Sequence, residues 1–303
     1  SVLLSFYSSS SYRVNSRLTL NPGVHSQFFL LNKHYTVEPR FGLKYQITPK
    51  HSIGAGFGMH SRLERLQFYF MKQQIPSGDV YPNKSLDFSK ARHFVLSYDQ
   101  TLSEFLHFKI EVFYIDLYNI PIIPGTNFSF INLDNNWFMN DSLINKGKGK
   151  NYGIDLTLER FLAKGYYYLF TASVFKSSYM NEDKIWRNTR YNRIFAFNVL
   201  GGKEWKCGKQ NQNILGANLR LSLQGGDFET PVDLVSSLAA KNIIYDESKP
   251  FSVQQDASFV AHVTIGYRIN KPKHSTIWEV KVINATGTKE IYGYKYNFKN
   301  NLI

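Results

Sequence analysis

Hydrophobic and polar positions alternate with a period of two along most of the chain, while the 3.6-residue period of a helix is hard to find. Period two sends successive side chains to opposite faces of a strand, so each such run describes a ribbon with two unlike surfaces. Phe105 to Tyr118 is the clearest run. Leu106, Phe108, Ile110, Val112 and Tyr114 fall on one face, and His107, Lys109 and Glu111 on the other. Val37, Phe41, Leu43, Tyr45 and Ile47 likewise oppose Glu38, Arg40, Lys44 and Gln46. Leu215, Ala217, Leu219, Leu221 and Leu223 oppose Asn218, Arg220, Ser222 and Gln224, and Trp278, Val280 and Val282 oppose Glu279 and Lys281. The pattern predicts strands over 15–31, 35–48, 51–66, 89–103, 105–122, 149–162, 165–180, 191–206, 213–226, 255–271 and 274–287.

Strands in soluble domains run to about 5–6 residues. A run of about 14 residues at ~3.3 Å each, tilted by ~45°, rises about 33 Å and clears an apolar band of about 25 Å. Connection lengths carry the same message. Short polar turns fall near 48–50, 101–104, 162–165, 207–213 and 270–273, and mostly long, irregular connections near 71–88, 124–148, 180–190 and 226–254. Short turns on one side and long loops on the other mark an outer-membrane barrel. Aromatic residues gather toward strand ends, as at Phe68-Tyr69-Phe70, Tyr114, Tyr118, Tyr166-Tyr167-Tyr168 and Trp205, where ring and polar tip suit a membrane–water interface. The fold class expected is all-β: an antiparallel, up-and-down transmembrane β-barrel, partial, with about 11–12 strands.

Composition removes alternatives. Aromatic residues make up 16% of the 303 residues, too many for a disordered chain. The longest uncharged run, 117–133, contains Pro121, Pro124 and Gly125, so no helix spans a bilayer there. Cys207 is the single cysteine, which excludes an intrachain disulfide framework or a multi-cysteine metal site. The 36 Lys+Arg and 23 Asp+Glu leave a net charge of +13, spread over nearly all segments, so no nucleic-acid face stands out. An acidic partner inside the wall or anionic lipid headgroups at its rim fit that charge equally well. The chain opens at Ser1, and Ser1 to Tyr12 carries neither a basic n-region nor a cleavage pattern, so the sequence reads as a piece of a longer protein.

Chemical motifs are sparse. Gly54, Gly56 and Gly58 lack the G-x-G-x-x-G spacing, and on a strand they share one face, where they relieve crowding or allow bending. Gly147 to Lys150 (GKGK) is not a phosphate-binding loop either. The eight histidines are scattered; His107 and His262 fall on polar strand faces, as do Glu111, Asp155, Glu159 and Glu279. Neither a catalytic residue set, nor a metal site, nor a cofactor is expected.

Several strings, in order, resemble the C-terminal barrel part of a TonB-dependent outer-membrane receptor. These are Glu38-Pro39-Arg40 at a strand start, Tyr114 to Ile122 (YIDLYNIPI), Asn145 to Arg160 (NKGKGKNYGIDLTLER), Gly165 to Tyr179 (GYYYLFTASVFKSSY), Arg187 to Asn192 (RNTRYN), Gly202 to Trp205 (GKEW) and Thr230 to Asp233 (TPVD). The resemblance implies a barrel of about 22 strands filled by a plug. It further implies TonB-coupled uptake of a scarce nutrient such as a siderophore, a cobalamin-like molecule or an oligosaccharide. The expected partners are that ligand, the TonB complex acting through a region outside this chain, outer-membrane lipid and a surface lipoprotein. Residues 1–303 are expected to lack the plug, the TonB box and the final strand. Ligand contacts do not transfer by motif. From side-chain chemistry the loop residues Trp137, Tyr179, Trp186, Arg187 and Arg190 are the candidates, since rings stack on flat ligands and guanidinium grips carboxylate or phosphate. A passive channel or secretion pore, a membrane-embedded hydrolase and a soluble β-rich binding protein are the competing readings.

Overall fold

In a computed structural model, which describes residues 1–133, 140–289, 294, 296 and 297, the alternating runs become long antiparallel strands. In chain order these are β1 (Leu3–Ser9), β2 (Tyr12–Arg13), β3 (Leu18–Phe29), β4 (His34–Thr48) and β5 (His51–Arg62). Then follow helix α1 (Leu66–Tyr69), β6 (Gln73–Ile75), β7 (Gly78–Val80), β8 (Ser89–Ser103), β9 (Leu106–Ile122), β10 (Ile144–Ala163) and β11 (Tyr166–Met180). The remainder comprises β12 (Trp186–Asn188), β13 (Phe195–Cys207), β14 (Asn213–Gln224), β15 (Phe228–Glu229), helix α2 (Leu234–Ala240), β16 (Val253–Gln254), β17 (Ser258–Lys271) and β18 (His274–Val282). The main sheet runs β1-β3-β4-β5-β8-β9-β10-β11-β13-β14-β17-β18, an up-and-down meander whose edges among the described residues are β1 and β18. It is an arc of barrel wall, not a closed barrel.

Register sorts the two faces. Phe41, Phe57, Phe94, Tyr114 and Tyr152 form one row across β4, β5, β8, β9 and β10, with neighbouring rings from Phe57 onward 5.1, 6.4 and 6.4 Å apart. The next row down is Leu43, Ala55, Leu96, Val112, Ile154 and Val174. At the opposite rim Trp205, Leu215, Tyr267 and Trp278 form a second row. Most of these apolar side chains are exposed. In water such a face would drive aggregation; between two aromatic girdles it faces lipid. The other face is polar and knitted by ion pairs, including Lys109 with Glu111 at 2.9 Å and His107 with Asp99 at 2.8 Å.

Several boundaries differ from the sequence expectation. Leu3–Ser9 is a strand that was not anticipated, and it is exposed throughout. The strand placed at 149–162 begins at Ile144, because Gly147 and Gly149 sit at register shifts against β9 rather than in a loop. The strand placed at 51–66 stops at Arg62, and the one placed at 191–206 starts at Phe195. The long connections are not irregular: they hold α1, α2, the β6–β7 and β15–β16 pairs and a 3-10 turn at Phe130–Asn132. Phe68 and Tyr69, placed at the membrane interface by the pattern, are instead enclosed beneath the loops.

Among the described residues that enclosure is the hydrophobic core. Phe29, Phe68, Tyr69, Leu86, Phe88, Ile120, Phe130 and Leu143 pack together where the tops of β3 and β9 meet the loop residues 63–88, 123–133 and 140–143. Phe29 meets Tyr69 edge-on at 5.2 Å, and Phe68 meets Phe130 at 4.9 Å. Each such side chain contributes roughly 1.5–3 kcal/mol on burial, enough to make the loops a folded cap.

Candidate functional site

The cap is riveted by asparagine amides that hydrogen-bond to main chain of neighbouring loops. Asn83, 1% exposed, donates to the carbonyl of Asp141 at 3.0 Å and accepts from the N–H of Leu143 at 2.8 Å. Asn145 accepts from Asp87 N–H at 2.9 Å and donates to the carbonyls of Asp87 and Asn119. Asn181 donates to the carbonyls of Thr126 and Phe128, and Asn132 accepts from Arg190 N–H at 2.8 Å. Asn119 takes a left-handed φ of 61° near the end of β9, a conformation asparagine tolerates, and its amide reaches Asp87 and the Phe88 carbonyl.

Asp87 is the charged counterpart of these rivets. Its carboxylate takes His34 at 2.9 Å, Lys90 at 2.9 Å and the N–H of Phe88 at 2.7 Å. Burial works against the charged form, but the hydrogen bonds from Lys90, His34 and Phe88 outweigh it and hold the carboxyl below its ordinary range. Burial also pushes the Tyr69 hydroxyl up to about 12, so this ring stays neutral within the core.

Below the cap lies a cavity of about 800 Å³. One side of its lining is apolar: Leu63, Phe68, Leu117, Ile120, Phe130, Ile131 and Leu133. The other is polar, with Arg62, Arg65, Lys90, Glu64, His60, Ser61, Asn151, Ser177, Thr189 and Tyr191. Glu64 is engaged by Ser89 at 2.5 Å and by Arg62 at 3.4 Å. Arg62 pairs with Glu64 and Lys90 with Asp87, so three cations face two carboxylates and the polar side keeps a net positive charge that attracts anions. Behind it, buried Glu38 gathers His25, Gln27, Thr36, Arg40 and Ser61, which ties β3, β4 and β5 together at the cavity floor. This is the structural use of the Glu38-Pro39-Arg40 string.

The sequence candidates separate into distinct places. Tyr179 is wholly enclosed, its hydroxyl donating to the Asn127 carbonyl at 3.1 Å and its ring meeting Phe251. It holds loops together. Trp186 is exposed and pairs across from Met180, with the Lys150 ammonium 4.1 Å over its ring. Arg187 makes a two-pronged pair with Asp183 inside its own loop, which raises the guanidinium and lowers the carboxyl relative to their ordinary values. Arg190 bonds through its main chain to Asn132 and Phe228, next to cavity-lining Tyr191. Trp137 lies outside the described residues. Arg62, Arg65, Lys90 and Tyr191, at the cavity, were not among the candidates. Their positions flanking strand ends carried no motif, although a cluster of cations at the loop edge of two sequential strands was visible. Among the described residues no cluster of three or more His, Cys, Asp or Glu could hold a metal, and no helix is long and apolar enough to cross a membrane.

The family model for TonB-dependent receptor-like β-barrels matches residues 3–285. No curated protein matches. Among solved structures, the outer-membrane transporter YddB from Escherichia coli aligns over 94% of this chain and 41% of its own, at 11% identity and a TM-score of 0.68. P. aeruginosa FpvA, solved bound to heterologous pyoverdines, aligns over 94% and 34%, at 14% identity and a TM-score of 0.62. The ferric-catecholate import receptor Fiu of E. coli aligns over 94% and 40%, at 12% identity and a TM-score of 0.60. The chain spans well under half the length of these proteins. With its meander, its outward apolar face between two girdles and its loop cap at one rim, it belongs to the TonB-dependent receptors and forms an arc of their outer-membrane barrel wall.

Proposed function

We propose that this chain supplies the ligand-capturing side of a TonB-coupled receptor, and that the ligand is an anionic molecule with a substantial apolar or aromatic part. The single observation carrying this reading is the two-sided cavity beneath the cap, apolar at Phe68, Leu117 and Phe130 and cationic at Arg62, Arg65 and Lys90. A ferric siderophore has that character, and the similar proteins FpvA and Fiu are described with pyoverdine and ferric catecholate. Apolar walls desolvate the ligand body while the guanidinium groups take its acidic oxygens in paired hydrogen bonds. Arg187 and Arg190, beside the cap, are proposed as outer contacts, and Trp137 is proposed with them from its side-chain chemistry alone. Release inward through work by the TonB complex requires the plug region of the full receptor. The packed cap supports capture over free passage, which sets this reading above a passive pore.

The test is ferric-chelate binding to the full-length receptor, followed by tryptophan fluorescence. Arg65→Ala and Tyr191→Ala are each expected to weaken affinity about tenfold, equivalent to about 1.4 kcal/mol. Unchanged affinity in both variants would place the ligand elsewhere and overturn the assignment.

A further inference from the structure

We propose that the lipid-facing surface of β5 and β8–β11 binds one bisphosphorylated, multi-chain lipid of the outer leaflet, with phosphates on Arg92 and Lys150 and an acyl chain in the groove at Ala55. This site lies on the opposite face of the wall from the ligand cavity and stands without it.

Three consecutive rows of cross-strand partners build the surface. The upper row, at a single height, is Met59, Arg92, Asp116, Lys150 and Ser178. The aromatic row lies two residues below and ends in Lys176; the aliphatic row with Ala55 lies two below that. Each step is about 7 Å. From top to bottom the order is therefore cation, ring, hydrocarbon, the same order as phosphate, glycerol-level interface and acyl chain in a leaflet.

The cations are held ready for an anion. Arg92 lies 4.4 Å over the Tyr118 ring and 3.2 Å from Asp116, and its side chain is half exposed. Lys150 sits over Trp186 and, like Lys176, makes no ion pair among the described residues. A ring face holds Lys150 in place without neutralising it, whereas Arg92 shares its charge with Asp116. Asp116 stands between Arg92 and Lys150, which are separated by two strand spacings, about 10 Å. A single phosphate centred there would meet the carboxylate, whereas two phosphates, one on each outer flank, avoid it. Directly below, the small side chain of Ala55 opens an apolar groove of about 400 Å³ between Phe41, Phe57, Phe94, Leu96 and Tyr114. That volume and lining suit a length of saturated chain.

The experiment uses the full-length receptor in nanodiscs or detergent, with hexa-acylated lipid A, its dephosphorylated form and phosphatidylglycerol as probes, and counts bound lipid by native mass spectrometry. The unaltered receptor is expected to retain lipid A at least tenfold better than either comparison lipid. Arg92→Gln with Lys150→Gln should remove that preference, and Ala55→Phe should weaken retention without altering the phosphate preference. Asp116→Asn should leave retention intact or raise it. Heat-modifiable migration of each variant checks that the barrel has formed. Equal retention of all three lipids by the unaltered receptor, or undiminished lipid A binding by the folded double variant, would overturn the proposal.

Discussion

At the scale of single residues, the cap depends on side chains that satisfy main chain. Asn83 answers one carbonyl and one N–H of the adjacent loop, so Asn83→Ala strands the buried N–H of Leu143 at a cost of about 1–3 kcal/mol and releases the carbonyl of exposed Asp141. Faster amide hydrogen exchange at Leu143, with exchange in the strands unchanged, is the expected readout. Asp87 makes the cap acid-sensitive in a defined direction. Its carboxyl is depressed in the folded protein, so its contribution is complete above the ordinary value of 3.8 and is lost as pH falls through the lower folded value. Amides of Phe88 and Asn119 should therefore stay protected at pH 4 and open only in stronger acid, and Asp87→Asn should flatten that dependence. None of this was legible in the sequence. An asparagine in a loop reads as a turn former, and only the folded register shows which carbonyl it will meet.

At the scale of elements, legibility followed periodicity. The strand at 89–103 and the start of the one at 213–226 were bounded by alternation alone, because a half-buried wall strand enforces period two along its length. Ile144–Lys148 was missed because its Lys-Gly repeat has no apolar side chain to report a face. The glycines are there for closeness: a Cβ on Gly149 would come 2.6 Å from Ile131 and 3.0 Å from Leu117. Gly149→Val should lift the 3-10 turn at Phe130–Asn132 off the wall, exposing Phe130 and enlarging the cavity it lines. Proteolysis within 123–133 should then speed up several-fold while the barrel strands remain resistant. Phe68 and Tyr69 misled for a complementary reason. Their sequence resembles an aromatic girdle, and only the single turn of α1 reveals that both rings face inward.

At the scale of the molecule, apolar outside and polar inside is the rule for a wall in lipid, and it is why hydropathy alternation identified the fold class while leaving the ligand site unread. The free edges at β1 and β18 leave ladder groups that hydrocarbon cannot satisfy. Expressed by itself, the chain is expected to enter inclusion bodies and to refold from detergent only as a mixture of oligomers, checked by size exclusion with light scattering. A monodisperse monomer would show that the edges close on each other. The amide rivets have one more consequence, which concerns how such a surface changes over generations. Because Asn83, Asn145 and Asn181 grip main chain, they place no demand on the identity of the side chains between them. The exposed letters of the loops can be rewritten, to evade a phage or an antibody or to admit a new nutrient, while the scaffold beneath keeps its shape.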